Sequence, residues 1–154
     1  MAKKSGYILN DGQSSGLMRV ASNAFMETII EDKADVNRRL RFFPNPYAAN
    51  PKFADDSSLL PMLKQWRIPL LKSTHVMVAF DGGMGTKAEI EVALDLGCIV
   101  IPFFKDESKE TWQLIGNNLI AERLVKYDPD YISQMGEKNI KYKDVLNLIE
   151  KVFK

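Results

Sequence analysis

Apolar residues in this chain occur either in short continuous runs or at spacings of three and four. The first pattern is that of a buried strand, the second that of an amphipathic helix. Residues 7–9 read as a first strand, and Asn10-Asp11-Gly12-Gln13-Ser14-Ser15-Gly16 as the polar turn after it. Leu17, Val20, Ala21, Ala24 and Phe25, joined by Met18 and Ile29, then mark a helix that Ser14 or Ser15 would cap. Residues 39–43 read as a strand closed by Pro44. Alternation would place Arg39 and Arg41 on one strand face, Leu40 and Phe42 on the other. Residues 45–56 form a polar loop rich in Pro, Asn and Ala, and loops of that length are usually functional.

A helix is expected over 57–73, with Pro61 in its first turn and Pro69 kinking or splitting it. A strand at 76–80, a helix at 86–96 and a strand at 98–103 follow, with Gly97 at the helix C-terminal position. A further helix starts at Ser108 and runs to about Arg123, and 127–130 is a loop. The last helix, 142–153, carries Val145, Leu148, Ile149 and Val152 on one face. Continuous rather than alternating apolar strands belong to parallel sheets covered on both faces. The expected fold is therefore α/β: a Rossmann-like, doubly wound, mostly parallel sheet that binds ligands at the C-terminal ends of its strands.

The length of 154 residues suits one domain, 1–154. A net charge of +1 gives no argument for nucleic-acid or membrane binding. No apolar run approaches the ~20 residues of a membrane span. The basic start Met1-Ala2-Lys3-Lys4 has no long apolar segment behind it, unlike a secretory signal. The single cysteine, Cys98, excludes an intrachain disulfide and a cysteine metal cluster, and reads as a packing residue. A reducing, cytoplasmic location is the default that follows. The one histidine, His75, stands at a strand start rather than in a catalytic setting. No metal or cofactor is implied.

Chemistry concentrates in Gly82-Gly83-Met84-Gly85-Thr86-Lys87-Ala88-Glu89, between a strand and a helix. Glycines let backbone N–H groups converge on an anion, and a helix N-terminus adds unpaired donors and partial positive charge. The spacing fits neither a Walker loop nor a dinucleotide fingerprint. Thr86 and Glu89 also form a capping-box pattern that would start the helix without any ligand. A second glycine turn, Gly12 to Gly16 with Ser14 and Ser15, also lies between a strand and a helix. In a parallel sheet both turns would point to one edge and could share a ligand. Arg19, Arg38, Arg39, Arg41 and Arg67 are candidate phosphate partners, since arginine binds phosphate bidentately. Trp66 either stacks on a base or packs in the core. Glu89 would accept ribose hydroxyls or act as acid or base, with Asp81 a weaker candidate of the same kind.

These residues resemble a known family. The block from Gly82 to Glu89 looks like the P-G-G-x-G-T-x-x-E motif of the LOG proteins, cytokinin-activating phosphoribohydrolases. Gly16-Leu17-Met18 with Val20-Ala21 resembles their upstream G-G-G-x-x-G-L-M-G-x-V-A segment, and Arg67 stands near their catalytic arginine. On this likeness the chain is identified as a member of the SLOG (SMF/DprA-LOG) superfamily. Asp81 replaces the motif proline, Asn10-Asp11-Gly12 the triple glycine, and Arg19 the glycine after Leu-Met. Leu40-Arg41-Phe42-Phe43-Pro44, the polar loop, Trp66-Arg67 and the tail from Thr111-Trp112 are more similar to the SLOG domain of Thoeris antiphage effectors.

That resemblance implies a nucleotide-sensing domain that binds a cyclic ADP-ribose isomer, in antiphage defence or its counteraction. Its ligand residues would be Gly12, Ser14, Ser15, Gly16, Arg41, Arg67, Gly82, Gly83, Gly85, Thr86 and Glu89. Partners would be a second copy of the chain and an NAD-consuming effector domain. The alternative is a LOG-like phosphoribohydrolase that cleaves nucleoside 5'-monophosphates, with Glu89 and Arg67 catalytic. Family members begin with a strand, a Gly-Ser turn and a helix that this sequence lacks before residue 7. Either the chain is a truncated piece, another chain supplies the strand, or the strand order is altered.

Overall fold

The computed structural model describes residues 6–12, 17–43, 45 and 56–154. The chain divides into two compact units, Met1–Asp56 and Ser57–Lys154. The described residues form an α/β fold with two pairs of parallel strands.

The first unit holds β1 (Leu9–Asp11), α1 (Leu17–Glu31), α2 (Val36–Arg39) and β2 (Leu40–Phe42). β1 and β2 are parallel, with Leu9 opposite Leu40 and Asp11 opposite Phe42. The first strand is thus displaced from 7–9: Asn10 and Asp11, expected in a turn, lie in it, and Asp11 is buried. The Phe43 amide continues the ladder by donating to the Asp11 carbonyl at 2.8 Å.

Two further expectations are corrected here. Asp35 caps α2 by accepting the Asn37 amide at 3.0 Å, so the chain is helical as far as Arg39 and extended only from Leu40. The Arg39 guanidinium donates to the Tyr7 carbonyl, and Arg39 shares no strand face with Arg41. In α1 the buried side is Ser22 and Ile29 with Phe25 and Met26 half-buried, whereas Val20, Ala21 and Ala24 are exposed. Burying Ile29, Phe25 and Met26 removes more apolar area from water than burying two alanines and a valine. The proposed caps Ser14 and Ser15 and the loop residues 46–55 lie outside the described residues.

The second unit opens with a 3-10 turn at Ser57–Leu59 and continues through α3 (Leu60–Lys72), β3 (Val76–Phe80), α4 (Met84–Asp95) and β4 (Ile99–Phe103). A 3-10 turn at Glu110–Leu114, α5 (Asn118–Leu124), α6 (Tyr131–Gly136) and α7 (Tyr142–Val152) complete it. β3 and β4 run parallel, with Val76 opposite Ile99 and Phe80 opposite Phe103. Val100 and Ile101 of β4 are fully buried with Ile90 and Ala93 of α4, Phe104, Ile120, and Leu148 of α7. α4 ends as expected at Gly97, whose φ of +86° favours glycine. The Gly97 amide donates to Leu94 O and the Cys98 amide to Ala93 O, at 3.1 and 2.9 Å, a Schellman pair that leads directly into β4.

Pro69 does not split α3, which runs unbroken from Leu60 to Lys72. Pro69 has no amide to donate to the Gln65 carbonyl, and both residues are exposed. The helix expected over 108–123 is instead a 3-10 turn and α5. Asn117 starts α5 afresh, its side chain accepting the amides of Leu119 and Ile120 at 3.0 and 3.3 Å. α6 was not signalled by periodicity because it spans less than two turns. Among the described residues no helix is long and apolar enough to cross a membrane.

α6 anchors the sheet through Tyr131, whose buried hydroxyl donates to the Pro102 carbonyl at 2.9 Å. Burial pushes the phenol well above the ordinary tyrosine range, and Asp144 and Asp128 push it the same way. The group therefore remains a donor at neutral pH. Tyr131→Phe leaves that carbonyl buried and unpaired, which should cost about 1–2 kcal/mol. Urea denaturation checks this; unchanged stability would show that the bond carries no weight.

Candidate functional site

β3 delivers the chain to Asp81, whose carboxylate is already committed. Its Oδ1 accepts the amides of Lys105 and Asp106 at 3.0 and 3.2 Å, and its Oδ2 lies 3.0 Å from the Lys105 amide. Asp81 thus ties the loop after β4 to the end of β3, a structural role in place of the acid or ribose contact weighed from sequence. The tie brings up Thr111, which is fully buried. Gly82 N–H donates to Thr111 Oγ1 at 3.0 Å, and the Thr111 amide donates back to the Gly82 carbonyl at 3.2 Å.

The three glycines of the turn have different neighbours. A Cβ on Gly82 would stand 2.3 Å from Thr86 Oγ1, so Thr86 packs where only glycine leaves room. A Cβ on Gly85 would meet Leu63 Cδ2 of α3 at 3.6 Å, an ordinary contact. A Cβ on Gly83 would meet nothing within 4 Å. Gly83 is the N-cap of α4, and among the described residues no side chain caps that end. The expected capping box does not form. α4 begins at Met84, two residues earlier than the pattern implied, which makes Thr86 its third residue. Thr86 is drawn over Gly82 and Glu89 toward Arg67. The first turn of α4 therefore carries no acidic residue, and its leading amides lack an intrahelical acceptor.

Leu63 and Arg67 stand one turn apart on α3, as Gly85 and Glu89 do on α4. The two helices meet in that register, with Leu63 against Gly85 and Arg67 Nε donating to Glu89 Oε1. The Arg67 side chain is 4% exposed and that of Glu89 22%. A more exposed pair, Lys64 with Glu91 at 2.9 Å, lies on the same two helices. Burial pushes the Glu89 carboxyl above its ordinary value, and the Arg67 charge and hydrogen bond only partly offset that. Replacing such a buried pair by apolar residues is often neutral or stabilising, so the pair is weak evidence for a role in stability alone.

Gly82, Gly83, Gly85, Thr86, Glu89 and Arg67 thus belong to the second unit and cluster around the start of α4. Gly12, which is buried, and Arg41, which is exposed on β2, belong to the first unit. Ser14, Ser15 and Gly16 lie outside the described residues. Trp66 is 38% exposed and not part of the core. Cys98 is buried, with Sγ donating to the carbonyls of Leu71 and Thr74 at 3.3 and 3.1 Å. His75 is exposed beside the Phe153 ring, centroids 5.7 Å apart. Thr111 and Leu63 were missed in the sequence. They reach the turn only through tertiary packing, and nothing in local spacing marks them. Among the described residues no group of three or more His, Cys, Asp and Glu could hold a metal ion.

Gly82→Ala should destabilise the protein by about 1–3 kcal/mol through the clash with Thr86, whereas Gly83→Ala should leave the melting temperature within a degree or two. Equal effects would refute the division of roles. Glu89 also sets a pH dependence. Its carboxyl is raised in the folded state, so its contribution is fully present below the unfolded value near 4.5 and fades as pH rises through the folded value. The stability of wild type relative to Glu89→Gln should therefore decline as pH rises above 4.5. A difference that grows with pH would contradict that direction.

Comparison of the chain with protein-family models, with curated proteins and with solved structures finds no match.

Proposed function

We propose that the chain binds a phosphate-bearing nucleotide at the start of α4, as a SLOG-like sensing domain without chemistry of its own. One observation carries the reading. The uncapped amides of the Gly83–Thr86 turn stand one helical turn from the buried Arg67–Glu89 pair. Helix amides and a nearby guanidinium suit a phosphate, and the carboxylate suits ribose hydroxyls. The sequence likeness narrows the ligand to a cyclic ADP-ribose isomer and the setting to antiphage defence or its counteraction. In this reading the fold is Rossmann-like and doubly wound, and an NAD-consuming effector receives the signal.

The raised carboxyl of Glu89 favours one second reading, a LOG-like phosphoribohydrolase. A carboxyl that burial holds above its ordinary value suits proton donation to a departing base.

Calorimetry with cyclic ADP-ribose isomers and with AMP separates the readings. The sensor reading expects saturable binding of an isomer and no release of adenine from AMP. Gly83→Ala should weaken that binding at least about tenfold, roughly 1.4 kcal/mol, without loss of thermal stability. Arg67→Ala should abolish it. Release of adenine, lost in Glu89→Gln, would transfer the assignment to the enzyme. Absence of binding by either ligand class would refute both.

A further inference from the structure

Arg67 and Glu89 form an ion pair with unequal partners. The Arg67 side chain is 4% exposed and that of Glu89 22%, and the pair ties α3 to α4 one turn inside the start of α4. A buried arginine keeps its charge at any pH a folded protein meets. A buried carboxylate can instead take up a proton and lose its charge. Any change in the partners of this pair is therefore absorbed by Glu89.

Among the described residues Arg67 is also the one cation acting on Glu89. Of the elements packed against α4, β3 and β4 carry no charged side chain. On α3, Lys64 Nζ bonds Glu91 Oε2 at 2.9 Å, and Lys72 is exposed at the far end. On the 3-10 turn at Glu110–Leu114, Glu110 accepts the Gln113 side-chain amide at 3.1 Å. Gln113 in turn accepts Lys87 Nζ, the only cationic group of α4. Asp95, the remaining acid of α4, is exposed. Burial raises the Glu89 carboxyl, and Arg67 alone offsets part of that. Glu89 thus owes its charge to Arg67.

We propose that phosphate binding at this site is coupled to proton uptake: Arg67 turns from Glu89 to the phosphate, and Glu89 takes a proton from water. The coupling rests on the nucleotide reading of the site given above. A phosphate offers the guanidinium a bidentate partner. A carboxylate left buried without its cation is strongly disfavoured, and a proton neutralises it. The charge of the site balances at both ends. Guanidinium and carboxylate sum to zero without ligand; guanidinium and one phosphate charge sum to zero with it, beside a neutral carboxyl. That carboxyl still accepts a ribose hydroxyl on its carbonyl oxygen. Because the ligand favours the protonated form, protons favour the ligand, and binding tightens as pH falls from the bound value of Glu89 to its free value.

The test is a pH titration of the Glu89 carboxyl carbon in the ¹³C-labelled full chain, with and without cyclic ADP-ribose. Glu89→Gln identifies the signal. The midpoint should be higher in the complex than in the free chain. Calorimetry of the wild type in buffers of different ionisation enthalpy should show net proton uptake on binding. Affinity should weaken as pH rises between the two midpoints, by up to about tenfold per unit. Without ligand, Arg67→Met should raise the Glu89 midpoint as well; should that variant fail to fold, the wild-type titration decides alone. Saturable binding with the Glu89 midpoint unchanged or lowered, or with no proton uptake, would overturn the coupling and leave the nucleotide reading standing. Absence of binding at any pH would overturn that reading and the coupling with it.

Discussion

The candidate site depends on the carboxylate of Asp81. By accepting the amides of Lys105 and Asp106 it joins the ends of two parallel strands that no short hairpin could join. That junction carries the loop after β4 back to Gly82, where Thr111 bonds both the amide and the carbonyl. With Gly82 held on both sides, α4 follows directly, with Gly83 as its N-cap. The start of α4 in turn decides which of its faces meets α3. It sets Gly85 against Leu63 and Glu89 against Arg67. A weak ligand candidate in the sequence is thus the residue that positions the stronger ones.

The glycine-rich turn divides its labour accordingly. Gly82 is needed by the packing of Thr86, whereas Gly85 lies against Leu63 of α3 with room for a Cβ. Gly83 has open space where a side chain would stand, at a helix end without a side-chain cap. Glycine is itself a favoured N-cap, and a capping side chain there would add only a few tenths of a kcal/mol.

The legible parts of the sequence were those dictated by local chemistry. Val76–Phe80 was read to the residue, because an apolar run bounded by polar residues leaves little choice. Gly97 was read because a helix end with positive φ favours glycine, and α7 because its apolar face repeats cleanly over three turns. The misread parts were those where a tertiary partner outbid a local one. Thr86 and Glu89 satisfy the capping-box spacing but serve Gly82 and Arg67 instead. Arg39 fits a strand face but ends a helix that Asp35 starts. α1 shows two apolar stripes, and the bulkier one is buried. At the site, sequence pointed to Arg67, Glu89 and the glycines. It could not point to Thr111, whose contact with Gly82 spans 29 positions.

The central claim is that the bare amides at the start of α4 receive a nucleotide phosphate. Its most direct test is a titration of the ¹⁵N-labelled chain with cyclic ADP-ribose, followed residue by residue. The account predicts saturable shifts that are largest at the amides of Gly83, Met84, Gly85 and Thr86 and at the Arg67 side chain. Shifts centred elsewhere on the chain, or none at saturating ligand with AMP equally silent, would contradict it.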